Sequence, residues 1–110
     1  MNRRIGYWTL LLIFVFLVVL TQKSAFSQTS GADTYKSKCA MCHGADGLGE
    51  TPAGKMMKTP SFKSPESVKA TDSEMIEVTK NGKAKMTAFK DKLTDAQIKD
   101  VVAYIRTLQK

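Results

Sequence analysis

The two cysteines of this chain lie three residues apart, and the only histidine follows directly, in the order Cys39-Ala40-Met41-Cys42-His43. On about one helical turn, two such thiols can each add to one vinyl group of a haem, and the next imidazole can reach the iron. A redox-active thiol pair would need a β-α-β context, which the chain lacks. A structural zinc site would need four ligands, and the sequence has no third Cys or second His. The pattern predicts one covalently attached haem c, with thioether bonds at Cys39 and Cys42 and His43 as the proximal iron ligand.

Residues 1–27 have the pattern of a secretory signal peptide. Arg3 and Arg4 give a positive start, an apolar run spans Ile5 to Leu20, and Ala25-Phe26-Ser27 offers small residues for cleavage before Gln28. An uncleaved membrane anchor is the alternative, because the run approaches the ~18 residues at which a spanning helix becomes plausible. Both alternatives predict a periplasmic or otherwise exported protein, and the second adds association with the membrane.

Residues 28–110 are expected to form a single small domain. They contain 13 lysines and Arg106 against 10 acidic residues, a formal net charge of +4. This length is near the lower limit for one hydrophobic core, which a large apolar cofactor would complete. A disulfide across a two-residue gap would restrain little of the unfolded chain, so haem attachment explains the cysteines better. Nucleic acid is a poor match as a partner, because the lysines are not interleaved with aromatic residues.

Capping residues and apolar spacing predict three helices and long loops. The helices begin at the pairs Ser30/Asp33, Thr71/Glu74 and Thr94/Gln97. The first is expected to run without a break to about Cys42 and the second to end at Asn81-Gly82. The last carries an apolar stripe of Ile98, Val101, Val102, Ile105 and Leu108. No run alternates with period two, so the fold class is all-α. The loop from Gly44 to about Lys69 contains three prolines and is expected to be functional or packed on a ligand.

A haem iron held by one histidine has a sixth position, and a methionine there raises the reduction potential. Met41 lies within the attachment loop, on the wrong side of the iron, and Met75 lies on the apolar face of the second helix. The residues alone leave two equal candidates, Met86 before the last helix and the pair Met56/Met57 in the proline-bounded loop. Methionines in such loops otherwise serve as packing residues.

Three segments resemble the class I c-type cytochromes, namely YKSKCAMCHGADGLG, VTKNGKAKMTAF and LTDAQIKDVVAYIRTL. The chain is similar to small single-haem bacterial cytochromes and to the haem-c subunits of some terminal oxidases. The resemblance covers Tyr35 to Leu108 and implies a cytochrome c-like fold of three or more helices around one covalently bound haem. It implies Met86 as the distal iron ligand. It also implies that the first and last helices cross, with Gly31 or Ala32 meeting Tyr104.

The chain departs from that family at Thr87, where a proline usually follows the ligand methionine. Proline would stiffen the loop by fixing φ, so a looser loop is expected here. The family also implies that a backbone carbonyl next to a proline accepts from Nδ1 of His43. Pro52 is the nearest candidate for that position, and it is otherwise a turn residue.

The resemblance implies a one-electron carrier that shuttles electrons between redox partners in a bacterial respiratory or related chain and that is not an enzyme. Three other functions stay open: a haem-c ligand-binding, sensor or weakly peroxidatic module, a subunit of a larger redox complex, and a thiol–disulfide oxidoreductase. Lysines near the proposed haem loops predict docking to acidic partner surfaces, and are otherwise simply solvated. These lysines are Lys55, Lys58, Lys63, Lys80, Lys83, Lys85, Lys90 and Lys92.

Overall fold

The computed structural model describes residues 3–20 and 29–110, and these parts of the chain are helical without a β-strand. The helices are α1 (Arg3–Leu20), α2 (Gly31–Lys38), α3 (Ala40–His43), α4 (Pro52–Met57), α5 (Pro65–Lys69), α6 (Asp72–Asn81) and α7 (Asp95–Leu108). The all-α prediction is confirmed. Within the described ranges, no helix combines the length and the apolar character needed to cross a membrane. The predicted cleavage point before Gln28 lies outside the described residues.

The first predicted helix is divided in two at Cys39. Ser30 begins α2, since its hydroxyl oxygen accepts from the backbone N–H of Asp33 at 3.2 Å. Cys39 has φ −117° and ends α2, while its own N–H still donates to the carbonyl of Tyr35 at 2.8 Å. α3 then begins at the next residue. The prediction of one unbroken helix was wrong because a single turn residue leaves the apolar spacing almost unchanged.

α2 and α7 pack against each other and form the core of the domain. Tyr35 of α2 and Val101 and Ile105 of α7 make one buried cluster, and the ring of Tyr104 lies on Tyr35 with centroids 5.2 Å apart. The helices can approach closely because Gly31 has no side chain: a Cβ there would collide with the backbone carbonyl of Asp100. The two helices pack together as expected, but Gly31 meets the backbone of Asp100 and not Tyr104, whose ring contacts Tyr35 instead.

Gly31→Ala is expected to lower the free energy of unfolding by about 1–3 kcal/mol, the usual cost of overpacking. The new methyl group would push the backbone of Asp100 away and separate the helices, which outweighs the higher helix propensity of Ala. Urea unfolding of the haem-loaded protein measures the change. Lys36→Ala, at an exposed position of the same helix, is the control and should stay within ~0.5 kcal/mol of wild type. Equal midpoints for both variants would contradict the close crossing.

The proline-containing segment after the cysteine pair is less irregular than predicted. Pro52 and Pro65 each occupy the first turn of a short helix, α4 and α5. Thr51 and Ser64 cap these helices through their hydroxyl oxygens. Proline at the start of a helix costs no hydrogen bond, because its missing N–H would have no partner there. The prediction of one long loop was wrong because it treated these prolines as loop residues and not as residues that begin a helix.

α6 and α7 both begin with the predicted capping box. In α6 the carboxylate of Glu74 accepts from the N–H of Thr71 at 2.7 Å, and in α7 Gln97 accepts from Thr94 at 2.9 Å. The hydrogen bonds from Thr71 hold the pKa of Glu74 below its ordinary value. The stabilisation linked to this carboxylate is therefore present above the unfolded-state pKa and is lost as pH falls through the lower folded-state pKa.

Glu74→Gln should remove this part of the pH dependence while keeping the cap, because Gln supplies the same acceptor without titrating. Unfolding midpoints in urea, measured from neutral to acidic pH, should show wild type losing its advantage over the variant as the carboxylate protonates. Gln97→Glu is the matched control. It places a carboxylate at the equivalent position of the α7 capping box, and its stability should become dependent on pH in the same way. Parallel curves for wild type and Glu74→Gln would disprove the linkage.

Candidate haem-attachment site

One helical turn carries both thiols and the imidazole. The N–H groups of Cys42 and His43 donate to the carbonyl of Cys39 at 3.2 and 3.0 Å. Gly44, with φ +80°, ends this turn. Both thiols are free and partly exposed, and burial raises the pKa of Cys39 to about 11. The structure therefore brings together Cys39, Cys42 and His43 in the arrangement that double thioether attachment requires, and no disulfide competes for the thiols.

The His43 ring fits an iron ligand. Burial lowers the pKa of its imidazole, which favours the neutral form that binds metal ions. Nδ1 is buried and has no hydrogen-bond partner among the described residues. The ring stacks on Phe62, with centroids 4.5 Å apart and planes 9° apart. A half-buried neutral imidazole directly beside the two thiols fits the donor set of a covalently attached haem. Pro52 begins α4, and no carbonyl of the described residues, that of Pro52 included, accepts from Nδ1 here, so the expected acceptor is not found.

Two side-chain hydroxyl groups donate hydrogen bonds to the backbone of the turn from Cys39 to Gly44. The Tyr35 hydroxyl donates to the carbonyl of Gly44 at 2.6 Å, and burial raises the pKa of Tyr35, which keeps the phenol protonated as a donor. The hydroxyl of Thr51 donates to the carbonyl of Met41 at 2.7 Å and accepts from the N–H of Gly54 at 2.9 Å. These bonds fix the backbone between the two cysteines, at Met41, and just after His43, at Gly44.

α4 packs directly on the attachment turn. Gly54 lies so close to it that a Cβ would collide with the carbonyl of Cys42. The N–H of Thr59 donates to the carbonyl of Gly54 at 2.8 Å, and the N–H of Phe62 donates to Gly47 at 2.8 Å. The chain after α4 is thereby folded back so that Phe62 meets the His43 ring. Thr51 and Phe62 were missed by the sequence analysis, because neither belongs to a periodic or spaced pattern.

The methionines differ in their surroundings. Met41 and Met56 are 79% and 76% exposed and Met57 is 44% exposed, whereas Met75 packs against the core cluster, as expected. Met86 is half-buried at the end of a tight turn, where its N–H donates to the carbonyl of Lys83 at 2.9 Å. Met86 lies on a different segment from the attachment turn, and its role as distal ligand stays a prediction.

Two free thiols and a half-buried imidazole within one turn of a small helical domain match the attachment site of a c-type cytochrome. Residues 27–105 match the family described as cytochrome c oxidase, cbb3-type, subunit III, and the chain belongs to this family. The resemblance to class I c-type cytochromes is thereby confirmed, and with it covalently bound haem c as the cofactor. The coarse function of this class is that of a haem-c electron carrier.

Two relatives agree with this assignment. Over 76 residues the chain is 33% identical to cytochrome c6 from Leptolyngbya boryana, an alignment that covers 69% of this chain and 86% of the relative. The solved structure of the KustC0563 c-type cytochrome superposes with a TM-score of 0.68 and 32% sequence identity, covering 74% of this chain and all of the other. The similarity therefore extends to the whole domain and not only to the cysteine pair.

Proposed function

We propose that this protein is an exported one-electron carrier that passes electrons between redox proteins of a bacterial respiratory or related chain, without substrate chemistry of its own. The observation that carries the proposal is the turn from Cys39 to His43, which brings both thiols and a half-buried imidazole together. When bound, haem c supplies an iron centre that accepts and releases one electron.

The chain's own residues would hold this centre and close it to other ligands. Cys39 and Cys42 would fix the haem covalently, and His43 would bind the iron from one side. Met86 would fill the sixth position, so that no exogenous ligand is needed or admitted. The aromatic and aliphatic core beneath the turn, formed by Tyr35 with the residues of α7, would keep the geometry the same in both oxidation states.

Expression with haem-maturation machinery tests this proposal. A red protein whose haem survives acid–acetone extraction, titrates reversibly with one electron and binds no carbon monoxide when ferrous is the expected result. Rapid carbon monoxide binding would favour a ligand-binding or sensor module, and a colourless, thiol-active product would favour an oxidoreductase.

Co-purification from native membranes distinguishes a free carrier from a subunit of a larger complex. The N-terminal sequence of the purified protein reports cleavage before Gln28.

The proposed partners carry acidic docking surfaces. Lys83, Lys85 and Lys90 are exposed around the Met86 turn, and the N–H groups of Phe89 and Lys90 tie this segment to α6 through the carbonyls of Thr79 and Lys80 at 3.0 and 3.1 Å. Positive charges held at a fixed place beside the proposed distal ligand would attract a negatively charged surface and raise the rate of association.

Replacing Lys83, Lys85 and Lys90 together by Gln should slow bimolecular electron transfer and flatten its dependence on salt. Exposed charges act within a Debye length of about 8–10 Å at physiological salt, so the effect should be largest at low ionic strength. Stopped-flow kinetics with an acidic redox partner measures both quantities. Stability should change by no more than ~0.5 kcal/mol per site, because all three side chains are exposed.

The matched control replaces Lys36, Lys69 and Lys99 by Gln, which are exposed on α2, α5 and α7. Both triple variants lower the net charge of residues 28–110 from +4 to +1. The control should therefore lose only the part of the rate that depends on total charge. If the two triple variants behave alike, docking at the Met86 turn is wrong.

A further inference from the structure

The His43 ring stacks on an aromatic side chain. The ring lies on Phe62 with planes only 9° apart, and Nδ1 has no hydrogen-bond partner among the described residues. In most metal-binding histidines the second nitrogen donates to a carbonyl or carboxylate, and that bond sets the plane of the ring. Here the flat face of Phe62 is the contact that can set this plane.

Hydrogen bonds hold Phe62 in place through its backbone N–H and its carbonyl. Its N–H donates to the carbonyl of Gly47 at 2.8 Å, and its carbonyl accepts from Nε2 of Gln109 at 3.1 Å. Its ring also contacts Tyr35, with centroids 6.4 Å apart. Gln109 is the residue that ends α7, so the last residues of the domain reach back to the segment that covers the proximal histidine.

The side chain of Gln109 has no freedom to swing away. Its Oε1 accepts from Nη1 of Arg106 at 2.9 Å, and its Nε2 also donates to the carbonyl of Ser67 at 3.1 Å. Arg106 is held in turn by Asp72, with Nε 2.8 Å from the carboxylate. Both N–H groups and the oxygen of the Gln109 amide therefore make hydrogen bonds, and these bonds fix the orientation of the amide toward the carbonyl of Phe62.

We propose that Gln109 is a positioning residue for the proximal iron ligand, acting through Phe62 on the plane of the His43 ring. The inference rests on the proposed function in that it takes His43 as that ligand. The plane of an axial imidazole determines how the d orbitals of low-spin ferric iron split. A single plane gives a narrow set of electron paramagnetic resonance g values, and a spread of planes gives a broad set.

Gln109→Glu is the sharpest test, made in the full chain with haem attached. The new carboxylate keeps the size of the side chain and the acceptor for Arg106, but it has no N–H to donate to Phe62 and Ser67. The low-field line of the ferric spectrum should broaden and shift. Phe62→Leu should do the same, and the double variant should show no more than Phe62→Leu alone, because both changes act on one contact. If Gln109→Glu accumulates poorly, Gln109→Asn is the substitute test. It keeps the amide donors but withdraws them by one methylene group, and it should broaden and shift the same low-field line.

Asp72→Asn is the control, because the Asn oxygen can still accept from Nε of Arg106 and only the negative charge of the ion pair is removed, so Gln109 stays held. It should leave the ferric spectrum unchanged even where it lowers the unfolding midpoint. A Gln109→Glu protein that loses stability but keeps the wild-type line would show a merely structural role, and additive effects with Phe62→Leu would also overturn the proposal. Either result would overturn this inference alone, because wild type would still carry covalent haem ligated by histidine. If wild type carried no covalent haem or no histidine ligand, the proposed function would be disproved, and this inference with it.

Discussion

Replacing both Cys39 and Cys42 by Ala is expected to abolish covalent haem and to prevent the folded protein from accumulating. Both residues lie at the α3 turn, and Cys39 packs against the buried cluster of Tyr35, Val101 and Ile105. An attached haem would add buried apolar surface that the unfolded chain lacks, and the covalent link would keep the haem at the chain in both states. A domain of this size has few buried side chains to compensate.

Haem-dependent peroxidase staining after denaturing electrophoresis and the yield of exported protein measure the two effects. The covalent stain should disappear completely, and the yield should fall to a small fraction of wild type. Met41→Ala is the control, since Met41 lies between the two cysteines but is 79% exposed, and it should retain both haem and yield. A stable, folded, haem-free double variant would show that the core is complete without the cofactor.

The parts of the fold that could be predicted from the sequence are those that depend on near neighbours. The capping boxes at Thr71 and Thr94 and the buried stripe of α7 follow from residues three or four positions apart, and the structure has them as expected. The closeness of Cys39, Cys42 and His43 belongs to the same class, because all three lie within five residues. Local rules are sufficient wherever both partners of an interaction lie within one turn of a helix.

The parts that could not be predicted depend on residues brought together from far along the chain. The stacking of Phe62 on His43 requires the fold of the glycine-rich and proline-rich segment between them, and Gln109 is 47 residues from the carbonyl that it binds. No spacing rule connects such pairs. The break at Cys39 was also missed, because one residue outside helical geometry leaves the apolar pattern intact.

The choice among methionines lies between these cases. Sequence position alone left Met86 and the pair Met56/Met57 equal, and only the resemblance to class I cytochromes separated them. The structure adds that Met56 is 76% exposed, whereas Met86 is half-buried at a turn anchored to α6. A ligand must be partly shielded and held in place, so these surroundings favour Met86 without placing it on the iron.

Met86→Ala is expected to leave haem attached but to vacate the sixth position of the iron. The reduction potential should fall by on the order of 0.1 V or more, within the ~0.8 V that axial ligands span across haem proteins. Cyanide should then bind rapidly to the ferric form and carbon monoxide to the ferrous form. Redox titration and stopped-flow ligand binding measure these changes, and the absorption band of the ferric methionine–iron bond should be lost.

The exposed Met56 provides the control, because Met56→Ala removes the same side chain from a surface position. That variant should keep the wild-type potential and remain slow to bind cyanide. A second variant, Thr87→Pro, tests the loop, since proline after Met86 would restrict its backbone and reduce transient opening of the sixth position. Thr87→Pro should therefore bind cyanide more slowly than wild type. Should Met86→Ala leave potential and spectrum unchanged while Met56→Ala or Met57→Ala alters them, the distal ligand comes from the proline-containing segment and Met86 is a turn residue.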